Sequence, residues 1–454
     1  MSSTRVVVDE KGQGQTEGVL MNSEHISSPN NKSRMPDESM LPPRDHGVAA
    51  WTSLAAASVI SMATWGFGAS QGVFREYYFK TPPFEGNQLV ASIGLLVVGI
   101  LQAGSPFLLK FIGSYPQYRF YMMWTGTVLV VASSIGAAFS TTAVQVIMTQ
   151  GLLYGLSSAL LFSPCISFVD EWFMKRRGLA NGIFFAGPNI CASALSPIFS
   201  ILLDRFGQRT TLIGWAIFIA VIISGGILTV RSRPFSDPGH TGGTQEASSS
   251  WRPFKRPLFW LFVLSMTLQS LANNLPANYL PSYATDLGVS TSNAALLVTY
   301  LSLAGLIGQI LLGALTDAIG PLIPMLLSTL VSAFAVLVVW GLGKHYWNMV
   351  IVSILFGAFA FSFMVLRSHM AAIVVGDSSR PAEELFVSGV LLFTRGVIGV
   401  ASGYIAAAVL ERSEDIGIQP GYGSGKWKPF FILLGTVMTA ATVGMFGLLK
   451  KGKA

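Results

Sequence analysis

The residue in this sequence best placed to do chemistry is an arginine. Residues 391–399 read LLFTRGVIG, with Arg395 inside a long apolar run and no carboxylate near it in sequence. A guanidinium is always charged and presents a planar fork of donors that binds a carboxylate through two parallel hydrogen bonds. Ser388 and Ser402 stand seven residues to either side, which puts all three on one helical face. None of the 22 acidic residues falls deep inside an apolar run. Arg395 is therefore expected either to meet an anionic group on a bound molecule or to be held by amides and broken backbone from a neighbouring segment.

A second polar cluster lies in residues 267–283, TLQSLANNLPANYLPSY. Pro276 and Pro281 remove backbone donors there, while Gln269, Asn273, Asn274 and Asn278 supply amides. A prolyl break inside an apolar span is tolerated where the freed carbonyls find partners or line a cavity. Gln71, Tyr300 and Gln309 are further candidates for contacting a bound molecule. Arg367 and His369 fall near the end of an apolar run, where an arginine is expected to snorkel to the surface. Pro188 and Asn189 read as a kink. The basic triplet Lys175, Arg176 and Arg177 reads as a membrane-surface patch that sets orientation and touches lipid.

Other chemistries find little footing. The five histidines are scattered, so no metal site is expected, and there is no GxxxxGK[ST] phosphate loop. No cofactor is expected. Cys165 and Cys191 both fall in apolar runs and read as inert thiols. The net charge of +7 is spread over loops and tails rather than gathered for nucleic acid.

The elements that must position these residues are membrane helices. Hydrophobic residues make up 51% of the chain and charged residues 11%, against roughly a quarter charged in soluble domains. Twelve apolar segments are near the ~20 residues that cross a bilayer: 49–73, 88–112, 119–139, 143–167, 178–203, 209–230, 257–282, 291–315, 321–341, 346–369, 384–409 and 428–449. Arg395 then lies roughly 16 Å beyond Glu384 at 1.5 Å per residue, near the middle of a ~30 Å apolar core. The small residues Gly399, Gly403 and Ala407 are expected to pack against another helix.

The expected organisation is a polar, disordered tail over 1–46, six spans over 47–230, a Gly/Ser/Pro-rich linker over 231–256, six spans over 257–449 and a short tail over 450–454. With both termini cytoplasmic, sixteen Lys and Arg lie on or beside the inner face and eight on the outer, the bias expected of membrane proteins. The sequon at Asn31 would then stay unmodified. The two halves echo each other at the ends of spans two and eight, where LLKFIG carries Lys110 and ALTDAIG carries Asp317, each three residues before a glycine.

This arrangement resembles the major facilitator superfamily. GALTDAIG matches its G-x-L-x-D-x-x-G loop through Gly313, Leu315, Asp317 and Gly320, while the first-half copy has Lys110 in place of the acid. Residues 172–187, WFMKRRGLANGIFFAG, resemble the monocarboxylate-porter signature through Phe173, Lys175, Arg176, Arg177, Leu179, Ala180, Gly182, Ala186 and Gly187. Asp45, Gly47 and Trp51 keep part of a second signature. NNLPANYLPSYATDLG and RGVIGVASGYI look like fungal branches of that family.

The resemblance implies an all-α integral membrane fold of two pseudo-symmetric six-helix bundles. It also implies alternating-access transport of a small organic molecule across a lipid bilayer, with a coupling proton in some members. It gives Asp317 and the basic triplet gating roles. The chain departs from characterised monocarboxylate carriers in two places. Ala69, Ser70 and Gln71 stand where those carriers use a lysine, and Gln309 stands where they use an Asp/Arg pair. The expectation is thus a plasma-membrane carrier of an anionic metabolite, with export of a secondary metabolite as one form of it. The alternative is proton-coupled uptake of small monocarboxylates. A membrane-embedded enzyme or a sensor has no supporting motif.

Overall fold

Inside a bilayer every backbone polar group must be satisfied within the protein, and every regular element among the described residues is helical. The computed structural model describes residues 44–85, 90, 93–233, 252–376, 380–413, 422–423 and 425–451. The spans are α1 Val48–Lys80, α2 Ile93–Ser114, α3 Pro116–Ala138, α4 Ala143–Trp172, α7 Pro257–Asp286, α8 Ser292–Ile319, α9 Leu322–Trp340, α10 Tyr346–Val375, α11 Pro381–Glu411 and α12 Trp427–Leu449. Between α4 and α7 one hydrogen-bonded run, Arg177–Thr229, is too long for a single crossing. It turns at Gly207, whose φ of 72° and ψ of 178° are non-helical, and so supplies α5 (177–206) and α6 (208–229). An even number of crossings puts both ends of the described chain on one face, called below the chain-end face.

Several spans are bent where their sequences weaken the ladder. α7 is interrupted at Asn274, just before Pro276, so Pro257–Asn273 and Leu275–Asp286 are separate helical rods. The break expected from the prolines falls there. α10 tightens to a 3-10 turn over Phe361–Leu366 before resuming as Arg367–Val375.

Each bundle has its own core. In the N-terminal bundle (α1–α6), Phe67 stacks on Trp215 at 5.3 Å and meets Tyr154 at 4.4 Å and Phe199 at 5.8 Å. In the C-terminal bundle (α7–α12), Trp340 meets Phe431 at 4.7 Å, and Tyr283 meets Phe431 at 5.2 Å. Some apolar residues cross this division, among them Leu385, half-buried against the other core. Met364 of α10 and Leu392 of α11 are buried in the N-terminal bundle's core, so the seam between the bundles is apolar at that level.

The bundles approach most extensively along two helix pairs, α5 with α8 and α2 with α11. Both are lined by glycine, because the backbones approach too closely for a side chain. A Cβ on Gly178 would lie 2.3 Å from the Gly313 carbonyl oxygen, and one on Gly182 would lie 2.4 Å from that of Gln309. Across the other pair, a Cβ on Gly389 would lie 2.7 Å from Pro106, and one on Gly396 would lie 2.6 Å from Gln102. The expected packing run is corrected here: a Cβ on Gly403 would meet nothing within 4 Å. The seam of α11 faces α2 about two to three turns earlier than the small-residue spacing suggested.

The tail expected over 1–46 lies outside the described residues as far as 43, and most of the linker, 234–251, lies outside them too. The last tail residues are placed. Asp45 is buried, and its Oδ1 accepts from the Met174 and Arg176 amides at 3.0 and 2.8 Å. Its own amide donates to the Trp172 carbonyl at 3.0 Å. This corrects the reading of Asp45 as free chain: its carboxylate accepts from two amides of the tight α4–α5 turn.

The Gly207 turn yields a prediction. Only glycine readily adopts that backbone, and other residues there cost about 1–3 kcal/mol. Gly207→Val should lower the thermal unfolding midpoint of the purified protein, whereas Gly214→Ala, where a Cβ meets nothing within 4 Å, should leave it nearly unchanged.

Candidate functional site

Arg395 is buried in the middle of α11. Its Nη1 donates to Gln269 Oε1 at 2.8 Å. With the Asn273 amide turned so that its oxygen faces the guanidinium, Asn273 accepts from Nη2 at 2.7 Å. Both partners come from the first rod of α7. Among the described residues no carboxylate forms an ion pair with Arg395. Of the two partners open to it on sequence grounds, the amides of the broken seventh span are the ones in contact. Neutral amides orient the fork without cancelling its charge, so the site keeps a net positive charge in an apolar surrounding. Asn274 and Asn278, at and beyond the α7 break, stay exposed, and the Asn274 amide nitrogen lies 3.3 Å from where a Gly399 Cβ would stand. Asn274 therefore sits one turn beyond Arg395, away from the chain-end face.

The amides continue through the bilayer centre as a belt. Gln269 Nε2 donates to the Ala360 carbonyl at 2.7 Å, and Gln309 Nε2 donates to that of Phe361 at 3.2 Å. These two carbonyls stand where α10 changes to its 3-10 turn. Gln309 Oε1 then accepts from Asn189 of α5 at 3.0 Å, linking the two bundles. Asn189 is thus more than a kink residue; its partner was legible only as another isolated amide on a distant helix.

The other candidates lie apart from Arg395. Gln71 is bonded inside the N-terminal bundle, where Tyr78 donates to Gln150 at 2.7 Å and Gln150 donates to Gln71 at 2.8 Å. Tyr300 is half-buried against the core of the C-terminal bundle. Pro276 opens the second rod of α7.

Toward the chain-end face the bundles are joined by charge. Asp317 at the end of α8 accepts from the Gly178 and Leu179 amides, both at 2.7 Å. Those are orphan donors at the N-terminus of α5, where the helix dipole also favours a carboxylate. His369 Nε2 lies 3.4 Å from the same carboxylate. Arg177 of α5 pairs with Glu384 of α11, whereas Lys175 and Arg176 are exposed. Lys110, the first-half counterpart of Asp317, rests 5.3 Å from the Phe386 ring. The sequence did not mark Glu384 and Asn181 as contacts between the bundles, since a span-end acid and a lone amide carry no signal of a partner in the other bundle.

Arg367 departs most from expectation. It does not snorkel; it is 0% exposed. Its Nη2 donates to Asn181 Oδ1 at 3.1 Å, and the Asp170 carboxylate is 4.0 Å away. The chain-end part of α10 is covered by α4 and α5 of the other bundle, which closes the route to the surface.

Among the described residues, twelve crossings in two bundles, joined along glycine-lined seams around a buried charge, form the architecture of a membrane carrier. The chain matches the sequence profile of the Major Facilitator Superfamily over residues 48–403 and 263–453, and it belongs to that superfamily as an integral, multi-pass membrane transporter. It is similar to the fujikurins efflux protein of Gibberella fujikuroi, 26% identical over 82% of this chain and 78% of that one. It is also similar to monocarboxylate transporter 4 of Mus musculus, 29% identical over 43% of each chain. Among solved structures it resembles the proton:xylose symporter XylE, with a TM-score of 0.65, 13% identity, and coverage of 88% of this chain and 95% of that one.

The carboxylate clamp can be tested with a buried reporter. In a Cys165→Ala/Cys191→Ala background, Met364→Cys should react slowly with a soluble maleimide. Adding Asp317→Asn should speed that reaction by roughly tenfold, since charge-assisted hydrogen bonds contribute about 1.5–3 kcal/mol. An unchanged rate would mean that Asp317 does not hold the seam closed.

Proposed function

We propose that this protein exports an organic anion, a carboxylate-bearing metabolite, across the plasma membrane by alternating access. Both termini, and so the chain-end face, are cytoplasmic in this reading, in keeping with the twofold excess of Lys and Arg on that side. The observation that carries the proposal is Arg395: a buried guanidinium oriented by two amides, with no carboxylate partner among the described residues. An ionisable group at such depth is expensive, about 2.5–3.5 kcal/mol on insertion scales, and marks a substrate or ion pathway. Asn273, Asn274 and Asn278 complete the proposed binding surface. Gln71, Gln309 and Tyr300 leave it, because their polar groups or positions serve the bundles themselves. Asp317, Arg177 and Arg367 form the gate, Pro276 permits the α7 break, and Lys175 and Arg176 meet lipid headgroups. The efflux named for the Gibberella relative agrees in direction.

A second reading, proton-coupled uptake of small monocarboxylates, draws on the similarity to monocarboxylate transporter 4 and on the proton symport named for XylE. Against it stand Gln71 and Gln309, which occupy the positions of the charged residues those carriers use.

Two measurements separate the readings. An untargeted comparison of metabolites inside and outside cells with and without the gene should find an organic acid retained when the gene is lost. Labelled lactate and pyruvate should show no saturable flux; robust saturable lactate transport would favour the second reading. Arg395→Gln should reduce transport of the exported acid by roughly 10–100-fold, the loss of one charge-assisted pair, while the protein stays folded and inserted. Persistence of transport would make Arg395 structural.

A further inference from the structure

Arg367 is fully buried and under-bonded. Its Nε and Nη1 have no hydrogen-bond partner, and Asn181 takes only Nη2. The nearest carboxylate, Asp170, is at 4.0 Å, too far for a hydrogen bond. The guanidinium instead lies 5.8 Å from the Phe185 ring. Buried donors left in this state are costly and call for an explanation.

The explanation lies in which bundle owns the partners. Arg367 is on α10, in the C-terminal bundle. Asn181 and Phe185 are on α5 and Asp170 is on α4, all in the N-terminal bundle. If the chain-end seam parts, Arg367 separates from all three and its bare Nε and Nη1 face the opened mouth, with Glu384 of α11, in its own bundle, close enough to act on it electrostatically. Arg395 behaves differently, because Gln269 and Asn273 are on α7 of its own bundle and travel with it. Between the two arginines lies the apolar seam: Met364 is one turn from Arg367, Leu392 is one turn from Arg395, and both are buried in the other bundle's core.

We propose that Arg367 is a second anion site, which binds the carboxylate of the transported molecule on the chain-end side of this seam when that side is open. It rests on the reading of Arg395 as the central anion site. A carboxylate there satisfies the Nε and Nη donors that closure leaves bare, and so it favours the open state by its differential affinity. Closure brings Asp170 and Asn181 back to Arg367. While the seam is open Met364 and Leu392 are parted and the free donors of Arg395 lie beyond them, and as the seam closes the returning carboxylate repels the anion from Arg367 toward that site. The two arginines thus act in sequence, one owned by the gate and one by the C-terminal bundle.

The test uses the full chain with the Met364→Cys reporter in the Cys165→Ala/Cys191→Ala background, and benzoate as the probe with benzamide as its uncharged counterpart. Benzoate should speed maleimide labelling about tenfold, the lower end of what a charge-assisted pair can shift, and benzamide should not. Arg367→Gln should abolish the benzoate response, Arg367→Lys should keep a reduced one, and Arg395→Gln should keep it in full. Equal responses in Arg367→Gln and its parent, or no response in the parent, would overturn the proposal. A response lost only in Arg395→Gln would overturn it while leaving the central site intact; one kept in both variants would count against both sites.

Discussion

The structure turns on a cation that is held but not neutralised. Arg395 could have been paired with an acid, and a buried ion pair would have closed the question of its charge. Instead two amides on the broken seventh span fix its orientation. Their own second groups are committed elsewhere, Gln269 to the Ala360 carbonyl where α10 changes its winding. The belt continues through the Phe361 carbonyl and Gln309 to Asn189 of the other bundle. A change in what Arg395 binds is therefore felt, through a few hydrogen bonds, at a contact between the bundles.

The two ends of that seam are built differently. At the bilayer centre the bundles share one amide–amide hydrogen bond and an apolar plug, contacts that break at modest cost. At the chain-end face they share Asp317 on the first amides of α5, and Arg177 on Glu384. These are charge-assisted contacts at the membrane surface, where water can take over each partner as it leaves. Glycines at 178, 182, 389 and 396 let the backbones approach closely enough for all of them to form at once. Close packing with no acid paired to Arg395 among the described residues leaves its charge uncancelled, as the proposed anion site requires.

Much of this architecture could be read from the chain, because bilayer thickness imposes its own length on apolar runs. The division of spans five and six at 203–209 brackets the Gly207 turn, and the depth of Arg395 followed from counting residues. What could not be read was partnership. Gln269 and Arg395 are 126 residues apart, and nothing in either segment says which face of α7 meets α11. Asn189 and Gln309 each looked like an isolated amide; only the α5–α8 seam makes them a pair. Arg367 sits eight residues before the end of its helix, where an arginine usually reaches water, but the opposite bundle covers it. Asp45 was legible as part of a signature, but nothing in the sequence says that its carboxylate caps the α4–α5 turn. In each case the missing information was the contact between bundles, which periodicity and composition do not encode.

The central claim is that a substrate anion answers Arg395. The most direct measurement is flux, in liposomes containing the purified protein, of the metabolite that accumulates when the gene is lost, compared with that of its methyl ester. The ester keeps the size and apolar surface and removes only the charge. The account predicts saturable, protein-dependent flux of the acid and none of the ester above bare liposomes. Equal protein-dependent flux of acid and ester would contradict it and leave Arg395 as a structural residue.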